Sequence, residues 1–328
     1  PDQPNYALKS FKQFLKKIDR FHILTKFYGG IRRIIYLHYW GKDIEKFNPS
    51  GTQQFEKIPY IIRRHDRACG LFSYFNTILK GIAYADKHDM IPVVDMKNYP
   101  NTYLMDNEVG RINSWEYYFA QPGRISLEDA LSCKKYILSR DTSRHNYDPN
   151  EGIEYQRALV KKYIRLTAPV LERLDKMLDK FSGKKILGVH IRGTDVITGK
   201  FKHHNIQPTA QQAIFKAQEI MHDKKFDAVF LSTEDKNIVA EFQEAFGDEL
   251  LLPEVEYANY DGSGKAIDFF QVKRENYKYL SGLEYLVSVL FLSRCQGFIA
   301  SGSNGTNGAL VFSEGFEYFY EFKLGLYE

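Results

Sequence analysis

The sequence predicts an α/β fold of two units, each a sheet wound with helices. In the second half, apolar runs at residues 186–190, 228–231 and 297–300 each precede a polar loop, and helical patterns lie before or after them. A strand–helix–strand pattern over residues 60–95 precedes them. Because repeated strand–helix units form parallel sheets, we expect an open parallel sheet in the second half. The length of 328 residues, with 44% hydrophobic and 26% charged residues, suits two globular domains.

The first 33 residues carry a net positive charge larger than that of the whole chain. They hold eight lysines and arginines against two aspartates, a net of 8 − 2 = +6, which leaves 4 − 6 = −2 of the total +4 for the rest. Residues 5–28 fit an amphipathic helix, either solvated and packed on the body or lying on an anionic membrane surface. Flotation of the whole chain and of residues 34–328 with anionic liposomes separates the two. A general nucleic-acid binder would be basic over a whole domain, so nucleic acid is not an expected partner.

We divide the chain into a basic helical segment (1–50), an N-terminal α/β domain (51–180) and a C-terminal Rossmann-like domain (181–328). The N-terminal domain has predicted strands at 60–62 and 91–95, a turn at Gly70, a helix over 71–87 and one long helix over 151–181. The C-terminal domain has predicted helices at 208–222, 236–246 and 282–294, with a loop over 253–277.

The cysteines and the absence of long apolar runs indicate a cytoplasmic location. Cys69, Cys133 and Cys295 show no paired spacing, which argues against disulfides or a zinc site and fits a reducing compartment. No apolar run approaches the ~20 residues that cross a bilayer, and no signal peptide is visible. The basic helix would place the protein on the inner membrane face.

Polar residues follow three strands of the second half. The first loop holds His190, Arg192 and Asp195, the second Glu234 and Asp235, and the third Ser301, Ser303, Asn304 and Thr306. If these strands are neighbours, their loops share one crevice at the carboxyl edge of the sheet. An arginine fork and free backbone N–H groups at a helix start suit phosphate oxygens, and a carboxylate suits the ring N–H groups of guanine. Together they indicate a site for a nucleoside diphosphate.

Each of these features alone has a plainer interpretation. His190 could be an ordinary histidine and Arg192 one half of an ion pair that caps the sheet, and the acidic pair could favour the start of the next helix. The glycine-rich loop could be a tight turn, and His203 and His204 could be surface residues. The presence of three such loops, each directly after a predicted strand of one sheet, favours a nucleotide site over these separate interpretations.

Four stretches carry a resemblance to a known family. "HIRGTD", "FLSTED" at 230–235, "FIASGSNGTNGAL" at 298–310 and "GLFSYFNTILKGIAYADKHDMIPVVD" at 70–95 resemble the signatures of the GDP-fucose-dependent fucosyltransferases. The resemblance covers roughly residues 58–320 in short islands. It implies a GT-B-like fold of two Rossmann-like domains.

The resemblance also implies roles for individual residues. Arg192 would bind the β-phosphate of GDP-fucose, His190 would orient the phosphate or ribose, and Glu234 would accept from guanine. Ser303 and its neighbours would hold phosphate oxygens. The other donor-side residues are Asp235, Ser301, Asn304 and Thr306, and the acceptor-side residues are Gly70, Asn113 and Trp115.

An inverting transfer needs no metal if a guanidinium stabilises the departing diphosphate. Metal-dependent transferases typically hold a cation with a D-x-D triplet, which this sequence lacks. We therefore expect no metal and no cofactor. The chain departs from the α-1,6 enzymes at the base, because Val196 and Lys200 stand where those enzymes have a lysine and a catalytic glutamate. Candidates are Asp195, His204 and Glu116.

The sequence thus predicts a metal-independent, inverting glycosyltransferase that moves fucose or a related deoxysugar from GDP to a glycan or lipid-linked glycan. A bacterial role in surface-polysaccharide synthesis is expected. The alternatives are a transferase for another nucleotide sugar, a non-catalytic nucleotide- or glycan-binding protein, and a phosphate-binding hydrolase.

Overall fold

The structure is a computed structural model that describes residues 37–66, 69–145, 147, 151–193, 202–257 and 274–328. The predicted amphipathic helix over residues 5–28 and the candidate base Asp195 lie outside these residues, so both stay predictions. None of the helices in the described part of the chain is long and apolar enough to span a membrane.

The first unit is built on a four-stranded sheet. Its strands are β1 (Ile44–Phe47), β2 (Pro59–Arg63), β3 (Ile91–Val94) and β4 (Lys135–Asp141), in the order β1–β4–β2–β3. β2 pairs in parallel with β3 and β4, and β1 is antiparallel to β4. Helix α1 (Leu71–Lys87) covers this sheet, and the short α2 (Leu127–Ser132) precedes β4. The predicted βαβ pattern of residues 60–95 is confirmed, and β1 lies within the segment predicted as 1–50.

The predicted helix over residues 151–181 is two helices, α3 (Ile153–Tyr163) and α4 (Ala168–Lys180). Pro169, in the first turn of α4, lacks the N–H that would continue the helix across the gap. The intervening backbone pairs with the turn after β3 instead, since Thr167 N donates to Tyr118 O at 3.1 Å and Ala120 N donates to Arg165 O at 2.9 Å. The break therefore anchors residues 117–120 of the first unit.

The second unit is a five-stranded sheet in which every pairing is parallel. Its strands are β5 (Ile186–His190), β6 (Ala228–Ser232), β7 (Leu250–Leu251), β8 (Gly297–Ser301) and β9 (Tyr318–Phe322), in the order β7–β6–β5–β8–β9. Helices α5 (Ala210–Lys224), α6 (Lys236–Phe246), α7 (Tyr277–Leu292) and α8 (Asn304–Phe312) connect or follow these strands. The predicted parallel sheet wound with helices is confirmed, so the fold class is α/β as expected.

Two predicted helix starts are wrong. α5 begins after Thr209, not at Pro208, because Thr209 and Gln212 form a capping box that satisfies the first N–H groups. α7 begins at Tyr277 rather than near residue 282, so it starts five residues earlier along the chain.

One buried core joins the two units. Phe72 and Phe75 of α1 pack in the same cluster as Leu286 of α7 and Ala309 of α8. At Gly308 the ring of Phe72 occupies the space that a Cβ would need, so only glycine allows α1 and α8 to approach this closely. This contact fixes the start of α8 beside the first unit. The predicted domain boundaries at residues 50 and 180 stay predictions.

Candidate functional site

The carboxyl ends of three neighbouring strands form the candidate site. β5 lies between β6 and β8, and His190 aligns with Ser232 on one side and Ala300 on the other. From β5 the chain proceeds to β6 and β7 on one side, and then returns to β8 and β9 on the other. This reversal is a topological switch point, where open α/β sheets form a crevice. The three polar loops predicted to share an edge do share it.

His190 is the last residue of β5 and is buried, with 1% of its surface exposed. Its Nδ1 lies 3.1 Å from the carbonyl oxygen of Ser232, which can only accept, so Nδ1 carries the proton and donates. Nε2 is buried without a hydrogen-bond partner among the described residues. Burial lowers the pKa of His190 to about 4, and Arg192 acts in the same direction. At neutral pH the ring is uncharged, and Nε2 lies against the first turn of α8, since a Cβ built on Gly305 would be 2.8 Å from it.

Arg192 lies two residues further on and is held by Glu234. Its Nε is 3.6 Å from Glu234 Oε1, and the same oxygen accepts from the Gly193 N–H at 3.0 Å. The Arg192 side chain keeps 30% of its surface exposed. The pair therefore links the loops after β5 and β6 and presents a guanidinium at the crevice. Asp235 has a different contact, since its side chain accepts from Asn237 N at 2.8 Å and caps α6.

The loop after β8 leads directly into α8. Ser303 is the N-cap and accepts from Thr306 N at 3.0 Å, while Thr306 Oγ1 donates to Ser301 O at 2.5 Å. Because these hydroxyl groups bond within the loop, they shape the turn rather than project from it. The N–H groups that precede Thr306 in α8 have no acceptor within the helix, an arrangement that suits an anion.

Asn304 and Asn76 connect this loop to the first unit. Asn76, on α1, donates to Asn304 Oδ1 at 3.0 Å and to Asn304 O at 3.2 Å. Its own Oδ1 accepts from Asn307 at 3.1 Å. The amide cluster therefore ties the start of α8 to α1.

Gln207 also belongs to the candidate site, although it was not among the residues predicted from the sequence. It is buried with 7% of its surface exposed, and its Oε1 accepts from the Ser301 hydroxyl and, at 3.4 Å, from Arg192 N. Its Nε2 donates to Asn205 O at 3.1 Å, and Asn205 Nδ2 donates to Gly302 O at 3.0 Å. Gln207 thus links the loops after β5 and β8. Its signal in the sequence is a polar residue between Ile206 and a proline just before a helix.

The candidate bases are placed differently. His204 is exposed, and its carbonyl oxygen accepts from Tyr327 N at 2.9 Å. Glu116 is also exposed, and its Oε1 accepts from Gln121 Nε2 at 2.8 Å and from Asn113 Nδ2 at 3.2 Å. His204 is in the β5 loop of the second unit, whereas Glu116 follows β3 in the first unit.

The acceptor-side residues have mainly structural contacts. Asn113 is buried and holds the chain after β3, donating to Val94 O at 2.8 Å and accepting from Met96 N at 3.1 Å. Trp115 stacks on Phe75 in the core and has only 2% of its surface exposed, which leaves almost none for a ligand. Gly70 precedes α1, and a Cβ there would meet nothing within 4 Å. Within the described ranges, no group of three or more His, Cys, Asp and Glu side chains could hold a metal ion.

The fold and site thus define a two-unit α/β protein with a polar crevice at a topological switch point. No protein-family model matches the chain, and no curated protein matches its sequence. Among solved structures, it is similar to NodZ alpha-1,6-fucosyltransferase soaked with GDP-fucose, with 16% identity and a TM-score of 0.48 over 78% of this chain and 93% of that chain.

The chain is also similar to other solved structures. Fucosyltransferase NodZ from Bradyrhizobium is 15% identical, with a TM-score of 0.47 over 78% of this chain and 94% of that chain. POFUT1 in complex with GDP-fucose is 13% identical, with a TM-score of 0.36 over 82% of this chain and 75% of that chain.

Proposed function

We propose that the protein is a glycosyltransferase that moves fucose, or a related deoxysugar, from GDP to a glycan acceptor. The observation that carries this proposal is the crevice at the β5/β8 switch point. There, Arg192, the start of α8 and the unpartnered Nε2 of His190 lie at one edge of a parallel sheet. The resemblance of the three loop motifs to fucosyltransferase signatures is the reason for naming GDP as the nucleotide and fucose as the sugar.

The proposed reaction is a single inverting displacement. The acceptor hydroxyl attacks the anomeric carbon, the bond from that carbon to the diphosphate oxygen breaks, and its electron pair leaves with GDP. The hydroxyl proton passes to a base, for which Glu116, His204 and Asp195 remain the candidates. Negative charge grows on the β-phosphate as the bond breaks, so Arg192 and the first N–H groups of α8 stabilise the transition state more than the bound donor. In this mechanism they supply the charge that a metal ion supplies in other transferases.

His190 and Glu234 have supporting roles in this proposal. Because Nδ1 donates to Ser232 and the ring has only 1% of its surface exposed, the neutral His190 supports the first turn of α8 from within the protein rather than binding the donor directly. Glu234 orients Arg192 through the 3.6 Å contact, in addition to the guanine contact that the resemblance implies.

Nucleotide preference and an arginine substitution test the proposal together. We expect GDP to raise the melting temperature more than UDP, ADP or CMP, and the protein to hydrolyse GDP-fucose slowly without acceptor, also in EDTA. Arg192→Ala should keep the circular dichroism spectrum and lose about a hundredfold or more in GDP release, because a preorganised charge at the leaving group is lost. Arg192→Lys keeps the charge without the fork and should lose less. Lys202→Ala, an exposed cation following the same strand, is the matched control.

Three outcomes would contradict the proposal. A preference for another nucleotide would reject GDP, and GDP binding without any donor turnover would favour a non-catalytic nucleotide-binding protein. Turnover by Arg192→Ala above roughly a tenth of the normal rate would mean that the leaving group is stabilised elsewhere. The surface-polysaccharide role and the membrane contact rest on the charge of residues 1–33 alone.

A further inference from the structure

A pocket of about 390 Å³ lies where the first unit meets the start of α7. The first unit contributes residues of the 103–117 segment together with Thr167 and Pro169, and the second unit contributes Asn276, Lys278 and Tyr279. We propose that this pocket binds a neutral pyranose ring of the acceptor glycan. This inference rests on the proposed function, since it assigns the acceptor side of that reaction.

Two tyrosines form aromatic walls that are fixed before any ligand binds. The rings of Tyr117 and Tyr279 are half-buried, 5.2 Å apart between centroids and inclined at 67°. Tyr279 also stacks on Tyr118 at 6.1 Å, and the Tyr118 hydroxyl donates to Tyr279 O at 3.0 Å. Burial, followed by the charge of Glu108, raises the pKa of Tyr117 to about 12, so its hydroxyl keeps its proton at neutral pH. The apolar C–H face of a pyranose can pack on such rings with little loss of side-chain freedom.

The polar groups of the pocket match sugar hydroxyls. Glu116 is exposed, and the amides of Gln121 and Asn113 hold its Oε1 at 2.8 and 3.2 Å. A carboxylate oriented in this way accepts hydrogen bonds from neighbouring hydroxyl groups. Pockets of this size typically combine apolar walls with a few fixed polar groups.

The charge of the pocket favours a neutral sugar over an acidic one. Its lining holds two carboxylates, Glu108 and Glu116, and one ammonium group, Lys278. The ammonium donates to Leu104 O at 2.5 Å, so it is already engaged by the protein. A uronic acid would add a third carboxylate to this set and be repelled.

The pocket lies on the same side of the second sheet as the crevice. α7 leads into β8 and therefore begins near the carboxyl edge of the sheet. Tyr279 precedes Tyr285 by six residues, about 9 Å along the helix axis at ~1.5 Å per residue. The Tyr285 ring lies 6.4 Å from the His190 ring. A short oligosaccharide can thus occupy the pocket with a neighbouring sugar directed towards the donor.

Binding to an array of neutral and uronic-acid oligosaccharides tests this proposal. We expect neutral glycans to bind the wild type, and to bind Tyr279→Ala and Glu116→Gln at least tenfold more weakly. Phe215→Ala, which removes a ring with 70% of its surface exposed on α5 outside the pocket, should bind as the wild type does. The proposal would be overturned if both pocket variants bound neutral glycans as tightly as the wild type does. A preference of the wild type for uronic acids, or no binding of any neutral glycan, would also overturn it.

The rise in melting temperature with GDP separates this inference from the proposed function. If GDP stabilises the wild type and Tyr279→Ala equally, the variant is folded and any loss of glycan binding belongs to the pocket. If GDP does not bind but glycans still depend on Tyr279, the proposed function fails and the glycan site stands. If GDP binds and glycan affinity is the same in the wild type and in the Tyr279 and Glu116 variants, only the proposed glycan site is rejected.

Discussion

Gly305 stands in the first turn of α8, where a side chain has no room. A Cβ there would overlap the Tyr285 hydroxyl and lie 2.8 Å from His190 Nε2. The Tyr285 ring packs edge-on against Phe72 at 5.5 Å between centroids, so it cannot simply move aside. Glycine is therefore needed for close packing at the site, not for an unusual backbone angle.

We predict that Gly305→Ala lowers the free energy of unfolding by about 1–3 kcal/mol, because overpacking displaces Tyr285 or His190. GDP binding should weaken in the same variant. Gly70→Ala is the matched control, since it has open space around it and should change stability by less than about 0.5 kcal/mol. Urea unfolding and GDP titration of both variants measure these effects. Equal stability of the two variants would show that the site absorbs the methyl group.

At this scale the sequence reveals charged and strand-ending residues but not their buried partners. His190, Arg192 and Glu234 could be identified because polar groups directly after apolar runs are conspicuous. Gln207 and Tyr285 could not, because Gln207 gains its role only where loops distant in sequence meet, and a tyrosine in a helix is usually a packing residue. Trp115 was misleading for a related reason, since an aromatic residue among polar neighbours can still point into the core.

Residues 325–327 pair with the loop that follows β5. Residues 325–327 run antiparallel to residues 203–206, with three backbone hydrogen bonds of 2.9 Å: His203 N to Tyr327 O, Tyr327 N to His204 O, and Ile206 N to Gly325 O. The paired loop carries Asn205 and leads to Gln207, which contact the β8 loop and Arg192. Through this loop, residues 325–327 hold the crevice in position without lining it.

We predict that deleting residues 324–328 weakens GDP binding several-fold while lowering the melting temperature only slightly, because these residues are mostly exposed and lie outside the buried core. Deleting Glu328 alone is the control, since it removes none of the three hydrogen bonds. Isothermal titration with GDP measures the affinity, and tryptic cleavage after Lys202 reports whether the loop has loosened. Unchanged affinity together with faster cleavage would show that the loop does not position the crevice.

Helices with a strong hydrophobic periodicity could be predicted from the sequence. Elements whose bounds depend on pairing with other segments of the chain could not. α1 and α6 match their predicted bounds because their apolar stripes and flanking turns are local signals. β4 and β9 were not predicted, because their half-exposed residues are defined by neighbouring strands rather than by a continuous apolar run. The break between α3 and α4 depends on pairing with residues 118–120, which no local pattern contains.

For the whole molecule, the core shared by α1, α7 and α8 joins both sheets into one hydrophobic body. Arg157 of α3 adds polar contacts across the same boundary, donating to Leu310 O and Ser313 Oγ, each at 3.0 Å. A continuous core of this kind couples the unfolding of its parts. We therefore expect a change in either unit to appear in a single unfolding transition.

A buried histidine in each unit sets the response of that transition to acid. His145 lies 3.1 Å from the Tyr60 hydroxyl, and burial, followed by Arg140, lowers its pKa to about 4 against the opposing effect of Asp43 and Asp141. His190 is neutral for the same main reason. Both groups bind protons more weakly in the folded state than at the unfolded value near 6.5. Their contribution is therefore complete above pH 6.5 and is lost as the pH falls towards 4.

Between pH 7 and pH 5, above the range of ordinary carboxylates, we predict a loss of about 2 kcal/mol of unfolding free energy per histidine. His145→Gln and His190→Gln should each remove about half of the combined dependence of unfolding free energy on pH in this range. This holds whatever the substitutions do to stability at pH 7. His222→Gln is the control, because that side chain is 92% exposed and has no burial to lose. Urea unfolding at several pH values measures the slopes. A slope that is unchanged in the double variant, or two separate transitions with one histidine acting on each, would contradict a single acid-sensitive core.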